Sequence, residues 1–287
     1  MVENSNPLNK YYRQPQIYVT VPSNGKYYSD QMYKPTETGE IPVMAMTAKD
    51  EMSFKTPDAM INGQATVDVI KSCCPSITDP WQLVNYDLDT LLIAIRIATY
   101  GETMDFTANV PKIGEQVSHT VNLPSLLESV KNIEIKEDFT TKNGFKFTVK
   151  PLTYKDVTYT QTKTFEQQKS VAQTTLPGTT FTEEQKTQRY AQAYKALTEL
   201  NFEMLSNSFS KIETPAGDIV TDSKQITEFL QNADSVFVNE VQEGMIQIRN
   251  QAQIKPLKMK STEEQIKKGA PVTFDVPLTF DNSNFFV

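Results

Sequence analysis

Histidine is all but missing from this sequence, and the other residues that usually carry chemistry are thin. His119 stands alone in 287 residues. A Ser-His-Asp or Cys-His arrangement would have to use it, and no Gly-X-Ser-X-Gly nucleophile motif accompanies it. The two cysteines, Cys73 and Cys74, are adjacent. Neighbouring cysteines seldom bridge each other because the ring is strained, so they read as two reduced thiols at a helix end. Glycine is scarce, and its ten copies are scattered singly, which leaves no Gly-rich phosphate loop. Basic residues are outnumbered, 28 against 35, for a formal charge of −7. Without a basic block, a nucleic-acid backbone is a poor partner. Long apolar runs are missing too. Leu88–Tyr100 is too short, and too interrupted by Arg96, to span a bilayer. No apolar region follows Met1, so neither a signal peptide nor a membrane anchor is expected. Asp87 and Asp89 are the nearest thing to paired carboxylates, and Asp87 reads better as a helix cap. Glu183, Glu184, Glu213 and Asp218 read as solvated faces or turns. The sequence therefore assigns no catalytic, cofactor-binding or metal-ligating residue, and an enzyme is not expected.

What is present centres on residues 46–106. Leu88–Tyr100 carries apolar residues at 88, 91, 92, 93, 94, 95, 97 and 98, nearly all round a helical wheel. Such a helix is buried on most sides, and Leu92 and Ile95 are expected to be nearly solvent-free. Asp87 can cap its start, and Gly101 sits where a left-handed terminal residue is wanted. Before it, Pro57 opens a helix that Asn62-Gly63 breaks. A second helix, Gln64–Ser72, buries Val67, Val69 and Ile70 and ends before Pro75.

The composition is 38% hydrophobic and 22% charged, as for a globular protein of one or two domains. The pattern predicts an α+β fold, mainly helical with short antiparallel hairpins. Residues 1–42 read as an extended Tyr/Pro-rich N-terminal arm. Gln16–Val21 alternates as a strand, and Ser23-Asn24-Gly25-Lys26 is a turn that would form a hairpin with Tyr27-Tyr28. Tyr11, Tyr12, Tyr18, Tyr27 and Tyr28 have two readings. They pack on the parent domain, or they form a partner-binding arm, since tyrosine joins apolar area to a polar tip.

Residues 43–152 read as a core with the central helix and hairpins. Glu102–Asn109 and Gln116–Leu123 are strands around Val110–Gly114, and Leu123–Asn132 is a short helix. Asp138–Thr141 and Phe145–Lys150 form a hairpin about Asn143-Gly144, the strongest short-range turn signal in the chain. Residues 153–253 read as a helical region. Tyr154–Thr174 is helical, Leu176-Pro177-Gly178 is a break, and Thr182 caps Glu183–Ser208. Its apolar face is Tyr190, Ala193, Tyr194, Leu197, Leu200, Phe202, Met204 and Leu205. Pro215–Asp218 is a hairpin tip, Asp222 or Ser223 caps a helix, and Ala233–Ala252 is the last long helix. Residues 254–287 read as C-terminal strands, with Ile254–Lys260 and Pro271–Phe280 flanking Ser261–Gly269. Phe285 and Phe286 either dock on the body or anchor a neighbouring chain.

The words TAKDE, PDA-MINGQ, VIKSC, DPW and DLDTLLIAIRIATYG, and the ending PLTFDNSNFF, follow one another in this order. Together they resemble the baseplate-hub assembly family of T-even-type contractile-tailed bacteriophages, over roughly residues 23–286. The resemblance implies a non-enzymatic phage tail protein in the baseplate of the virion, assembled in the host cytoplasm. Its partners would be other baseplate and hub proteins, with the tape-measure protein as a further candidate, and no nucleic acid or membrane. It leaves two roles open: a resident structural component, or a tail-assembly chaperone that departs. Family members resembling this chain place Cys-Pro-X-Cys-Gly where Val110-Pro111-Lys112-Ile113-Gly114 stands, and another Cys pair near Ser261–Gly269. Neither pair is present here. The resemblance thus implies a degenerate zinc-knuckle-like β unit to which the C-terminal strands return. Val110, Ile113 and Ile266 would then fill the space of an ion.

Overall fold

The computed structural model describes residues 7–54, 63–131, 133, 135–174, 181–251 and 254–278. About half of them lie in helices, and all the described sheets are antiparallel, as expected of an α+β chain. The chain divides into two units. The first comprises Met1–Ile133 and Ile254–Val287, and the second is Glu134–Gln253.

In the first unit the described residues of the stretch read as an extended arm pair and pack with the residues that follow. Strand β1 (Pro15–Val19) pairs with β2 (Ile41–Met44), setting Val19 opposite Ile41. Ser23–Lys26 does turn, with Lys26 N–H donating to the Ser23 carbonyl at 3.1 Å. It leads into no hairpin with Tyr27-Tyr28, because the chain keeps turning there, with Tyr28 N–H donating to the Gly25 carbonyl at 3.0 Å. Val19 and Ile41 have no exposed surface, and Val21, Met32 and Tyr33 are buried. Helix α1 (Ala48–Phe54) follows, then α2 (Gln64–Cys73) and α3 (Asn85–Tyr100). The helix expected from Pro57 lies outside the described residues.

Helix α3 is the axis of this unit. Leu91, Leu92, Ile93, Ala94 and Ile95 are all fully buried. A helix apolar on every side needs cover on every side, and α3 packs against β1, β2, α2 and helix α4 (Leu123–Lys131). It ends at Gly101, whose φ of 95° suits a residue without a β-carbon. Its start corrects the reading of Asp87. The cap position is Val84, and Asp87 lies inside the first turn with no exposed surface.

Strands β3 (Thr103–Asn109) and β4 (Gln116–Asn122) form a hairpin closed by Gly114 N–H donating to the Val110 carbonyl at 2.9 Å. From the other end of the chain come β5 (Leu257–Lys260) and β6 (Thr273–Val276), in register from Thr273↔Lys260 to Val276↔Leu257. Between them the short helix α5 (Glu263–Lys267) starts from a Thr262–Gln265 capping box. The two hairpins meet. Val110, Ala270 and Phe274 are buried in one cluster, with Ile113, Val117, Met259 and Val276 packed against it. The Lys268 ammonium pairs with the Glu115 carboxylate at the same junction. Ile266 does not join it and is 37% exposed, because α5 turns Gln265 inward instead.

The second unit is a four-stranded sheet with helices. We number its strands β7 (Asp138–Thr140), β8 (Lys146–Val149), β9 (Phe209–Glu213) and β10 (Ile219–Val220), hydrogen-bonded in that order. The hairpin about Asn143-Gly144, grouped by sequence with residues 43–152, belongs to this unit. Its Phe147 lies opposite Ile212. The physical reason is its apolar face. Phe147 stacks on Phe139 at 5.2 Å and meets Phe209 edge-on at 5.0 Å. Helices α6 (Tyr154–Ala172), α7 (Glu183–Asn207), α8 (Ser223–Asn232) and α9 (Ser235–Gln251) complete the unit. Thr182 caps α7 through Gln185, and Asp222 accepts from the Lys224 and Gln225 amides. The core unites Phe147, Leu205, Ile226, Leu230 and Val241. Only part of the expected α7 stripe is core: Leu200 and Leu205 are buried, while Tyr190 and Tyr194 are exposed. The Leu176-Pro177-Gly178 break lies outside the described residues.

Candidate functional site

The first unit holds the described tyrosines singled out by sequence, and two polar anchors, one part-buried and one buried, fix the chain around them. Arg13 makes the first anchor. Its guanidinium donates to the Ser72 carbonyl and hydroxyl, each at 2.6 Å, and to the Ala45 carbonyl. It also reaches the Asp50 carboxylate at 3.4 Å and the Cys73 Sγ at 3.6 Å. Asp50 serves twice, because it also accepts from the Thr47 amide at 2.7 Å at the start of α1. The words TAKDE and VIKSC therefore meet in space around one arginine. Nothing in the local sequence at Tyr12-Arg13-Gln14 signals this, since the partners lie 32 to 60 residues away.

Asp87 makes the second anchor. Its carboxylate accepts from the Ser23 amide at 3.0 Å, from the Ser23 hydroxyl, and from the Tyr28 hydroxyl at 2.6 Å. Tyr28 in turn accepts from the Val84 amide at 3.1 Å. Burial pushes the Asp87 carboxyl up to about 6, against the opposing pull of the hydrogen bonds from Ser23 and Tyr28. Burial, and then the neighbouring Asp87 charge, raises Tyr28 far above the usual phenol range. The loop between them is tight. A β-carbon on Gly25, at φ +79°, would sit 2.8 Å from the Tyr33 ring.

These anchors divide the five tyrosines. Tyr28 is half-buried, with its hydroxyl turned inward onto Asp87 and Val84. Tyr27 is half-buried. Tyr11, Tyr12 and Tyr18 are 74%, 59% and 53% exposed, and Leu8 beside them is 61% exposed. Tyr11 ends a 3-10 helix (Pro7–Tyr11), and Tyr18 alternates outward on β1. Phe285 and Phe286 lie outside the described residues.

His119 is exposed on β4, edge-on to Phe106 at 5.7 Å. Both cysteines are free and buried, and burial pushes the Cys73 thiol up to about 11, so it is a poor nucleophile. Arg96 lies over the Tyr100 ring at 4.5 Å, with burial lowering its pKa. Among the described residues no group of three or more His, Cys, Asp or Glu stands together as metal ligands, and nothing supports a zinc-knuckle identity for the junction of the two hairpins. No described helix is long and apolar enough to cross a membrane.

Comparison with known families gives a match over most of the chain. The model of a family described as T4 bacteriophage base plate protein matches residues 14–268. No curated protein and no solved structure matches the chain.

Proposed function

The chain belongs to the T4 bacteriophage base plate protein family, and from that premise we propose that it acts at the baseplate hub through protein contacts, without catalysis of its own. The family makes it a phage tail baseplate protein whose neighbours are other baseplate proteins. The hub position, the absence of enzymatic activity and assembly in the host cytoplasm are our reading. The observation that carries it is the exposure of Leu8, Tyr11, Tyr12 and Tyr18, on a stretch of chain that Arg13 ties to Ala45, Asp50 and Ser72. Exposed tyrosines on a fixed backbone bury much area at little entropic cost, as interface anchors do.

A second reading is a tail-assembly chaperone for the tape-measure protein. One feature favours it: a groove of about 430 Å³ with no charged lining residue, formed by α6 residues including Val157, Thr164 and Phe165 together with Met204 of α7. An apolar groove of that kind suits a helical client. Quantitative mass spectrometry of purified virions separates the two. Stoichiometric peptides of this chain are expected. Their absence from virions, with the chain abundant in infected cells, would replace the resident reading by the chaperone.

A further inference from the structure

A groove of about 660 Å³ in the second unit lies between a sheet edge and a helix. One wall is β7 at Phe139 and Thr140, continued by Lys142. The other is α9 at Glu240, Glu243 and Gly244. Gly244 permits the close approach, since a β-carbon there would lie 2.5 Å from the Phe139 ring. Strand β7 is outermost in the sheet, and its register fixes which backbone groups are taken. Phe139 lies opposite Phe147, Thr141 N–H donates to the Phe145 carbonyl at 2.9 Å, and Val149 N–H donates to the Glu137 carbonyl at 2.6 Å. Residues 137, 139 and 141 therefore face β8, and by alternation the main chain of Asp138 and Thr140 faces outward. Both residues are exposed. An open strand edge beside a helical wall is the geometry in which an extended peptide adds as a further strand.

The charge of the groove selects the peptide. Its described lining carries Asp234, Glu240 and Glu243 against Lys142 alone. Glu240 accepts from the Lys142 amide at 2.7 Å, and Glu243 is exposed. The segments of this chain outside the described residues do not complement it. They contain one basic residue, Lys55, and four acidic ones, Glu3, Asp58, Glu134 and Asp281. A second copy docked edge to edge would set two acidic walls against each other, which like charge disfavours. We propose that this groove receives an extended basic segment of another protein, which pairs with the outward main chain of Asp138 and Thr140 and places a lysine or arginine against Glu243. The proposal stands on the second unit alone and is independent of the tyrosine face.

The test uses full-length protein and two labelled nine-residue peptides, one alternating Lys and Val, the other alternating Glu and Val. The basic peptide is expected to bind, to slow hydrogen exchange at the Asp138 and Thr140 amides, and to weaken with salt; the acidic one is not. Glu243→Lys should weaken binding about tenfold. Thr140→Pro, which removes an outward N–H that β8 does not use, should abolish it. If Thr140→Pro fails to fold, Glu243→Lys and the exchange map decide alone. The proposal is overturned by no binding of the basic peptide, by protection at the β10 edge instead, or by binding indifferent to Glu243→Lys. Full protection of the Asp138 and Thr140 amides before any peptide is added would assign the groove to this chain itself and overturn it equally.

Discussion

Asp87 holds its proton to higher pH in the folded chain than an exposed carboxylate would, and this has a sign. The native group titrates near 6 and the unfolded one near the ordinary 3.8. Between those values the native state binds more protons, so stability falls as pH rises. The stabilisation by the neutral form is complete below about 3.8 and lost through about 6. A gap of about two units is worth roughly 3 kcal/mol at about 1.4 kcal/mol per unit. Asp87→Asn should therefore flatten the loss of stability between pH 4 and pH 7, read by urea unfolding at both. A wild type and variant that change in parallel would show that Asp87 does not titrate there. Leu92, fully buried at the centre of α3, gives a simpler expectation: Leu92→Ala should cost about 2–5 kcal/mol. Its burial was legible in the sequence because helical periodicity is a local signal. The role of Asp87 was not. A cap is the local reading of an aspartate at a helix start, whereas its donors Ser23 and Tyr28 are 64 and 59 residues away.

At the scale of elements, turns and caps were readable wherever the chemistry closes within a few residues. The β3–β4 turn, the Asn143-Gly144 hairpin and the Thr182 cap all stand as expected. Strand partners were less so. The Ser23–Lys26 turn pointed to an adjacent strand, but β1 finds β2 across an intervening loop, and β8 finds β9 about 60 residues on. Pairing over such distances is decided by burial, which no turn residue announces. The two-stranded hairpins of the first unit illustrate the consequence. Alone such a hairpin is marginal in water, and each is stabilised by the Val110, Ala270 and Phe274 cluster. Phe274→Ala should cost about 3 kcal/mol and raise amide exchange in both hairpins together. If only β5–β6 loosens, the cluster does not couple them. Metal analysis of the pure protein should find no stoichiometric zinc, and a chelator should leave the melting temperature unchanged. A drop on chelation would mean that a metal holds the junction after all.

At the scale of the molecule, the first unit is built from both ends of the chain with the second inserted between Ile133 and Ile254. Composition divided the chain near residue 153, where helix takes over, but the sheet of the second unit begins earlier because β8 needs β9. The inserted unit has its own core, so a chain stopped after Gln253 should keep its cooperative unfolding transition. The same chain should show no exchange protection in β3–β4, since Ala270 and Phe274 are gone. Loss of both together would make the insertion dependent on its host. Synthesis meets this arrangement in a fixed order. Val110 leaves the ribosome about 160 residues ahead of Ala270. At about 5–20 residues per second, the first hairpin waits on the order of 8–30 s for the residues that bury it. The inserted unit is complete before that wait ends, and through it the newborn chain offers the cell's own folding factors an uncovered apolar hairpin.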